Sequence, residues 1–118
     1  MPTILIVDDH AGFRGEARRL LEAEGFTVVG EAVDGQSAIG LIESRRPDVI
    51  LLDIGLPDID GFEVADRLAS AHPKVRVVLT SSRDGAVYED RLNEAAAAGF
   101  LRKDELSGEA IRTILSPA

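Results

Sequence analysis

The sequence contains no cysteine, no hydrophobic run long enough to cross a bilayer and no basic leader at its start. Without cysteine, disulfides, thiol nucleophiles and thiolate metal sites are excluded, and a metal ion would have to bind through oxygen or histidine. The opening residues carry neither the basic stretch nor the small-residue cleavage site of a signal peptide. We therefore expect a cytoplasmic protein that makes no membrane contact.

Positive charge is also scarce. Thirteen Lys and Arg stand against 21 Asp and Glu, which gives a net charge of −8. This is the wrong sign for binding a phosphate backbone, so we expect no direct nucleic-acid contact. Arginine pairs such as Arg18-Arg19 are too few and too scattered to form a basic patch, and we interpret them as solvated helix charges. His10 and His72 are isolated in the sequence, and we interpret them as surface or helix-end residues rather than metal ligands.

A chain of 118 residues has the size of one domain and can bury a substantial core. Hydrophobic residues make up 45% of it and charged residues 29%, which is the balance of a folded globular protein rather than a disordered one. We therefore expect residues 1–118 to fold as a single domain.

Short apolar runs alternate with amphipathic segments along the whole sequence. Five runs have the pattern of strands, the second being more polar and typical of a sheet edge: residues 3–7, 28–33, 49–52, 75–79 and 100–101. Five segments carry apolar residues at helical spacing: residues 13–24, 38–42, 62–69, 88–95 and 106–115. Gly25, Pro47 and His72-Pro73 mark three of the helix ends. This alternation predicts an α/β fold with a parallel sheet and crossover helices.

Four of the strand runs lead into side chains that chemistry can use. These are Asp8 and Asp9, Asp53, Thr80, and Lys103. In open parallel sheets, ligands bind beyond the carboxyl ends of the strands. We therefore expect three carboxylates, a hydroxyl and an ammonium group at one edge of one sheet.

Three converging carboxylates would repel one another and raise one another's pKa values unless a cation lies among them. Mg²⁺ prefers oxygen ligands and keeps several waters, so carboxylates, a carbonyl and a phosphate oxygen would satisfy it. Lys103 could contact that phosphate, and Thr80 could donate a hydrogen bond to it. The set is suited to transfer of a phosphoryl group onto a carboxylate, in which positioning and charge neutralisation supply most of the catalysis.

Each of these residues, taken alone, also has an ordinary structural interpretation. The ordinary roles are helix caps for Asp8 and Asp9, turn or cap residues for Asp53 and Thr80, a solvated charge for Lys103 and a core side chain for Phe100. The spacing favours a common site, because intervals of 44, 27 and 23 residues separate Asp9, Asp53, Thr80 and Lys103 and place all of them at one end of the sheet.

Together these residues resemble a known family. The acidic pair Asp8-Asp9, residues 53–61, Thr80 and residues 100–103 are similar to the receiver domain of two-component response regulators, and the resemblance covers essentially the whole chain. Within that family, residues 7–10, residues 30–35 and Lys103-Asp104 most resemble the NarL/FixJ subfamily. The resemblance implies a flavodoxin-like (βα)5 three-layer sandwich, with a five-stranded parallel sheet of order 2-1-3-4-5.

The same resemblance implies roles for the residues of the site. Asp53 would be phosphorylated by a partner histidine kinase or phosphotransfer protein. Mg²⁺ would be held by Asp9, Asp53 and the Gly55 carbonyl, with Asp8 in support through water. Lys103 would contact the phosphoryl group. The residues of the conformational switch would be Thr80 and Phe100.

The resemblance further implies a phosphoacceptor switch rather than a turnover enzyme, one that assists its own phosphorylation and dephosphorylation. It would control an output domain or partner, with transcription as the expected output. A homodimer could form through the face built from the fourth helix, the fifth strand and the fifth helix.

Three other classes fit less well. A phosphatase of the haloacid dehalogenase kind would need a second acid two residues after its nucleophile, where this chain has Gly55. A flavodoxin-like cofactor binder would cradle phosphate where Asp8 and Asp9 would repel it. A receiver that signals only by binding is disfavoured because Asp9, Asp53, Thr80 and Lys103 are all present.

Two departures from the family pattern limit what the resemblance implies. Gly55 has no side chain and Ser82 has a short one, at positions where larger groups shield or position water in similar proteins, so the lifetime of the phosphorylated state does not carry over. NarL/FixJ-like regulators continue into a helix-turn-helix domain, whereas this chain stops at Ala118. Two expectations therefore remain open: a stand-alone receiver, or the receiver of a longer regulator.

Overall fold

The computed structural model describes residues 2–116, and within them strands and helices alternate five times. The strands are β1 Thr3–Val7, β2 Thr27–Ala32, β3 Val49–Asp53, β4 Arg76–Ser81 and β5 Gly99–Arg102. The α-helices are α1 Ala11–Ala23, α2 Gly35–Arg45, α3 Gly61–Ala71, α4 Glu89–Glu94 and α5 Gly108–Leu115. Short 3-10 helices at Gly85–Tyr88 and Lys103–Glu105 precede α4 and α5.

The five strands form one parallel sheet of order β2-β1-β3-β4-β5. This confirms the predicted α/β class, the flavodoxin-like strand order and the assignment of β2 to an edge. The central strand β3 is buried along its whole length, as its continuous apolar sequence predicts. The carboxyl ends of β1, β3, β4 and β5 therefore lie side by side at one edge of the sheet.

Side chains from the two faces of the sheet form two apolar cores, which gives the three-layer sandwich. One core packs against α2 and α3 and is made of residues such as Leu5, Ile42, Ile50, Phe62 and Leu79. The other packs against α1 and α5 and is made of residues such as Ile4, Leu21, Leu51, Val78 and Ile111. Along β1 and β3, neighbouring residues contribute alternately to the two cores, as the two-residue period of a strand requires.

Several element boundaries differ from those predicted, and three of the differences concern β4, α4 and α5. β4 continues to Ser81, so Thr80 lies inside a strand rather than beyond its end. The segment predicted as one helix over residues 88–95 is divided between the 3-10 helix Gly85–Tyr88 and the six-residue α4. α5 begins only at Gly108, because the Ser107 hydroxyl accepts a hydrogen bond from the Ala110 amide at 2.9 Å and caps the helix.

The loop between β3 and α3 folds closely over the end of β3. A Cβ atom at Gly61 would lie 2.6 Å from the Asp53 carbonyl oxygen, so only glycine allows this approach. Asp60 then caps α3 by accepting a hydrogen bond from the Glu63 amide at 2.9 Å. The close turn fixes the backbone immediately after Asp53. Within residues 2–116, no helix is long and apolar enough to cross a membrane.

Candidate functional site

The predicted site residues lie together at the carboxyl edge of the sheet. Asp8 and Asp9 follow β1, Asp53 ends β3, and Lys103 follows β5 directly. Thr80 lies in β4, one residue from its end. Asp8 and Asp53 are buried. The structure thus brings together the side chains that the sequence predicted at one sheet edge.

Lys103 provides the cation of this cluster. Its Nζ lies 2.6 Å from Asp8 Oδ2 and 3.5 Å from Asp53 Oδ2, and only 14% of its side chain is exposed. The approach to Asp8 is a close ion contact that lacks the angles of a hydrogen bond. The ammonium also lies 4.8 Å from the centroid of the Phe13 ring, whose face attracts a cation. Lys103 is therefore held inside the site rather than solvated at the surface.

The acidic residues form a group with the composition of a cation site. One ligand atom each from Asp8, Asp9, His10 and Asp53 lie within 4.8 Å of one another. Asp8 Oδ1 accepts a hydrogen bond from the His10 amide at 2.9 Å, and α1 has no side-chain cap, so neither aspartate is the helix cap considered above. The Asp9 side chain, 35% exposed, is the more accessible of the pair.

His10 lies at the surface and at a helix end, as predicted, and it also contacts the acidic group. It is exposed and stands at the N-cap of α1, as a helix-end residue would. Its Nδ1, however, lies 2.9 Å from Asp8 Oδ1 and 3.1 Å from Asp9 Oδ1. The prediction of a surface, helix-end residue is therefore confirmed, and the contact with the acidic group was signalled by the position of His10 next to Asp8-Asp9.

The environment of Asp53 disfavours its negative charge. Burial raises the pKa of this carboxyl, and the nearby Asp8 carboxylate raises it further. The Lys103 ammonium and the Gly55 amide, which donates to Asp53 Oδ1 at 3.2 Å, act in the opposite direction. The Asp53 carboxylate therefore lies in a site that would be stabilised by a further cation.

Thr80 lies directly beside Asp53 across the sheet. The two residues are register partners on β3 and β4, and both are buried. Within residues 2–116, Thr80 Oγ1 has no hydrogen-bond partner. A buried hydroxyl without a partner costs free energy, so the Thr80 hydroxyl is free to donate a hydrogen bond to a further acceptor.

Aromatic side chains continue from this point towards α4 and β5. Phe100 on β5 is half-buried, and its ring centroid lies 6.4 Å from that of Tyr88. The Tyr88 ring lies 6.0 Å from Phe62 of α3, and its hydroxyl is 3.2 Å from Ser81 Oγ. The family resemblance implied a role for Phe100 in the conformational switch, whereas Tyr88 was predicted only to be part of a helix. The packing of the 3-10 helix Gly85–Tyr88 against β4 and β5, which local sequence does not specify, places Tyr88 there.

The loop after Asp53 combines an open position with a tightly bound one. Gly55 is exposed, and a Cβ atom built on it would have no neighbour within 4 Å.

Asp58, which the sequence did not single out, accepts hydrogen bonds from the Gly35 and Gln36 amides at 2.8 and 2.9 Å. These bonds lower the pKa of Asp58 and fasten the loop to the start of α2. The loop is thus anchored at Asp58 and open at Gly55, two residues after Asp53.

A family model described as the response regulator receiver domain matches residues 4–115. A protein of Pseudomonas aeruginosa named as a transcriptional regulator is 42% identical over 105 residues, which are 89% of this chain and 51% of that protein. The transcription regulator BvgA of Bordetella pertussis is 37% identical over 92% of this chain and 52% of its own length. The chain thus spans about half the length of these curated relatives.

Similarity extends to solved structures. The receiver domain of the response regulator NarL from Mycobacterium tuberculosis superimposes with a TM-score of 0.84 and 40% identity, covering 97% of this chain and 93% of that one. The curated NarL protein of the same organism is 39% identical over 98% of this chain and 54% of its own length.

Proposed function

Because the chain belongs to the response regulator receiver domains, the phosphoacceptor domains of two-component systems, and its relatives include NarL-type regulators, we propose that Asp53 is its phosphoacceptor. Receiver domains of this family are switch proteins rather than enzymes, and they receive phosphate from histidine kinases. The observation that carries the proposal is the placement of one buried carboxylate, Asp53, between the Lys103 ammonium and the unpartnered hydroxyl of Thr80.

In the proposed transfer, an oxygen of the Asp53 carboxylate attacks phosphorus as the bond from phosphorus to the donor breaks. With a phosphohistidine donor, that bond is a phosphorus–nitrogen bond and the leaving group is the imidazole. Lys103 offsets the negative charge that accumulates around the phosphoryl group. Burial excludes bulk water from Asp53, which strengthens this electrostatic effect. The domain thereby assists its own phosphorylation and, by the same contacts, its dephosphorylation.

The acidic group fits Mg²⁺, which is hard, prefers oxygen and accepts a small number of carboxylates. We assign the direct ligands to Asp9, Asp53 and the Gly55 carbonyl. Asp8 supports them, since its carboxylate is engaged by the His10 amide and Lys103. When bound, the ion supplies positive charge that neutralises the carboxylates and the incoming phosphoryl oxygens.

Thr80 and Phe100 form the proposed switch. An acyl phosphate places roughly two negative charges where the carboxylate had one, and the unpartnered Thr80 hydroxyl can turn to donate to it. A hydrogen bond to a charged group contributes about 1.5 to 3 kcal/mol, whereas moving an equilibrium from 1:99 to 99:1 requires about 5.5 kcal/mol. Thr80 alone is not sufficient. Lys103 supplies part of the remainder, and Phe100 follows into the space that Thr80 leaves.

We place the output on the face made of α4, β5 and α5. None of the residues of α4 is buried, and those of β5 are only half-buried, so this face can rearrange at little cost. A partner or a second copy of the chain binding there would supply the rest of the free energy. Residues 1–118 would act as the receiver unit of a regulator of transcription, without touching nucleic acid themselves.

Incubation with a small phosphodonor such as acetyl phosphate tests the proposal. Intact mass measurement should show one phosphoryl group per chain in the presence of Mg²⁺ and almost none in EDTA. Equal incorporation under both conditions would contradict the role of the metal ion, and no incorporation from either acetyl phosphate or a phosphorylated kinase would contradict the proposed function.

A further inference from the structure

A charged network lies beside the site on residues that the proposed transfer does not use. Arg14 of α1 contacts Glu31 of β2, with Nε at 3.1 Å from Oε1. Arg18, one turn further along α1, contacts the other oxygen of Glu31 through Nη1 at 2.8 Å. Arg18, predicted to be a solvated helix charge, is thus ion-paired while 39% of its side chain stays exposed. Hydrogen bonds from Arg18 and Arg14 lower the pKa of Glu31, which keeps the carboxylate charged.

Arg14 makes one contact that Arg18 does not. Its Nη1 donates to the Asp8 carbonyl oxygen at 2.7 Å. The Asp8 amide is the last to donate to β2, at 3.0 Å from the Ala32 carbonyl, so the peptide group that joins Asp8 to Asp9 lies outside the sheet ladder. Arg14 thus binds the first peptide group that lies beyond the hydrogen bonds of the sheet.

The orientation of that peptide decides where Asp9 points. The carbonyl of Asp8 and the amide of Asp9 belong to one planar unit, so fixing the carbonyl fixes the positions of the Asp9 nitrogen and Cα atoms. The Asp9 side chain is 35% exposed and, apart from the contact of its Oδ1 with His10 Nδ1 at 3.1 Å, is little constrained by packing. Its direction therefore depends on the backbone more than that of Asp8, which is buried against Lys103.

The guanidinium group suits this task. It presents donors in a rigid plane, so Arg14 can bind Glu31 and the Asp8 carbonyl at the same time with one orientation. Glu31 belongs to the edge strand and holds that plane in place. Only 16% of the Arg14 side chain is exposed, which limits its alternative orientations. A lysine has one nitrogen and cannot reproduce both contacts in a fixed geometry.

We propose that Arg14 is a positioning residue for the cation site, because it anchors the Asp8 carbonyl through a plane fixed by Glu31 and so directs the Asp9 carboxylate into the acidic group. The inference rests on the proposed function in taking Mg²⁺ as the cation. It adds a residue that touches neither the ion nor the phosphoryl group.

The direction in which removal of Arg14 changes Mg²⁺ affinity distinguishes a positioning role from a purely electrostatic one. Arg14 is a cation near a cation site, so Coulomb repulsion alone predicts that its removal strengthens Mg²⁺ binding. Positioning predicts the opposite, a loss of about tenfold, the lower end of the range for partners that orient metal ligands. Arg18 provides the matched control, because it shares Glu31 with Arg14 but makes no contact with Asp8.

The experiment titrates Mg²⁺ into the 118-residue chain and follows amide NMR shifts of residues 8–10 and 53–55. Arg14→Gln should bind about tenfold more weakly than wild type, Arg14→Lys should recover little of the loss, and Arg18→Gln should stay within about twofold. Thermal unfolding of the four proteins identifies any variant that is not folded. Glu31→Gln keeps one acceptor oxygen, enough for the contact with Arg14, without the charge, and should lose less affinity than Arg14→Gln, which gives a second test if Arg14 variants fold poorly.

Unchanged or tighter binding in Arg14→Gln, beside a wild type that binds Mg²⁺, would overturn this inference alone. Equal losses in Arg14→Gln and Arg18→Gln would also overturn it, since they would indicate a general effect of the Glu31 network. A wild type that does not bind Mg²⁺ would overturn the proposed metal site and this inference with it.

Discussion

Asp53 and Thr80 are direct neighbours on β3 and β4, yet within residues 2–116 the Thr80 hydroxyl binds nothing. Both side chains are buried. The protein therefore carries an unsatisfied donor next to its proposed phosphoacceptor, a cost in the resting state that the phosphorylated state would remove.

Thr80→Val should expose this cost. The substitution keeps the shape and removes the hydroxyl, so the free energy of unfolding of the unphosphorylated protein should rise by about 1 kcal/mol. The same variant should accept phosphate at Asp53 but show smaller amide shift changes on α4, β5 and α5. Chemical denaturation measures the first effect and NMR of the phosphorylated protein the second.

Thr3→Val is the matched control for Thr80→Val. The Thr3 hydroxyl donates to Asp48 Oδ2 at 3.1 Å and accepts from the Asp48 amide at 2.9 Å, so its loss should lower stability by about 1 kcal/mol. If both variants lost stability equally, the Thr80 hydroxyl would have a partner in solution and its proposed role would be wrong.

Arg91 is expected to hold α4 against α3. Its Nη2 lies 3.0 Å from Asp60 Oδ2, and its Cζ lies 4.1 Å from the centroid of the Phe62 ring. An exposed ion pair and a cation–π contact together contribute about 1 kcal/mol. Arg91→Ala should therefore increase amide exchange in residues 85–94 about fivefold, as measured by hydrogen exchange.

Two variants control this prediction. Arg67→Ala removes the exposed contact of Arg67 with Glu63 within α3 and should leave exchange in residues 85–94 unchanged. Asp60→Asn keeps an N-cap for α3 but loses the charge, so it should reproduce part of the Arg91→Ala effect without opening α3. Equal exchange in wild type and Arg91→Ala would show that α4 is held by other contacts.

Mg²⁺ affinity should depend more on Asp9 than on Asp8. The Asp8 carboxylate is occupied by the His10 amide and Lys103, whereas Asp9 is more accessible. Asp9→Ala should therefore weaken Mg²⁺ binding more than Asp8→Ala in titrations of the unphosphorylated protein. If wild type and both variants bound the ion equally well, the ion would sit elsewhere.

Asp53 should make the protein less stable as the pH rises. Because burial and the Asp8 carboxylate raise the pKa of Asp53, the folded protein binds this proton more tightly than the unfolded chain does. The free energy of unfolding then decreases as pH rises from the usual value of 3.8 through the raised pKa. Asp53→Asn removes the effect, so in EDTA it should be more stable than wild type at neutral pH, by a margin that shrinks as the pH falls through the raised pKa towards 3.8. Thermal unfolding across a pH series checks this, and a margin that is largest at acid pH would contradict it.

Much of the fold follows from local sequence. Buried apolar runs predicted β1 and β3, and Gly25, with φ 97°, ends α1 where its lack of a side chain predicts. The length of β4 and the break before α4 were not predicted, because the burial of Thr80 and Ser81 against neighbouring strands sets the first, and the Asp84 cap of the 3-10 helix the second. The burial of Thr80 and Ser81 is a tertiary effect that local patterns do not contain, whereas the Asp84 cap is a local contact with the Ala86 amide that apolar spacing does not reveal.

The location of the site residues was predictable from the sequence, whereas their side-chain contacts were not. Strand ends placed Asp8, Asp53 and Lys103 at one edge because parallel strands share their direction. Contacts between side chains far apart in the sequence were not accessible, among them Arg14 with Glu31, 17 residues away, and Tyr88 with Phe100. These depend on the register of β2 with β1 and on the packing of the segment before α4, which composition and periodicity do not determine.

Mapping the phosphorylated residue tests the central claim most directly. Wild type and Asp53→Asn are treated with acetyl phosphate and Mg²⁺, the acyl phosphate is trapped by borohydride reduction, and the modified peptide is identified by mass spectrometry. We predict that the modification lies at Asp53 in wild type and that Asp53→Asn incorporates none. Full incorporation into Asp53→Asn, or a modified residue elsewhere in wild type, would contradict the account.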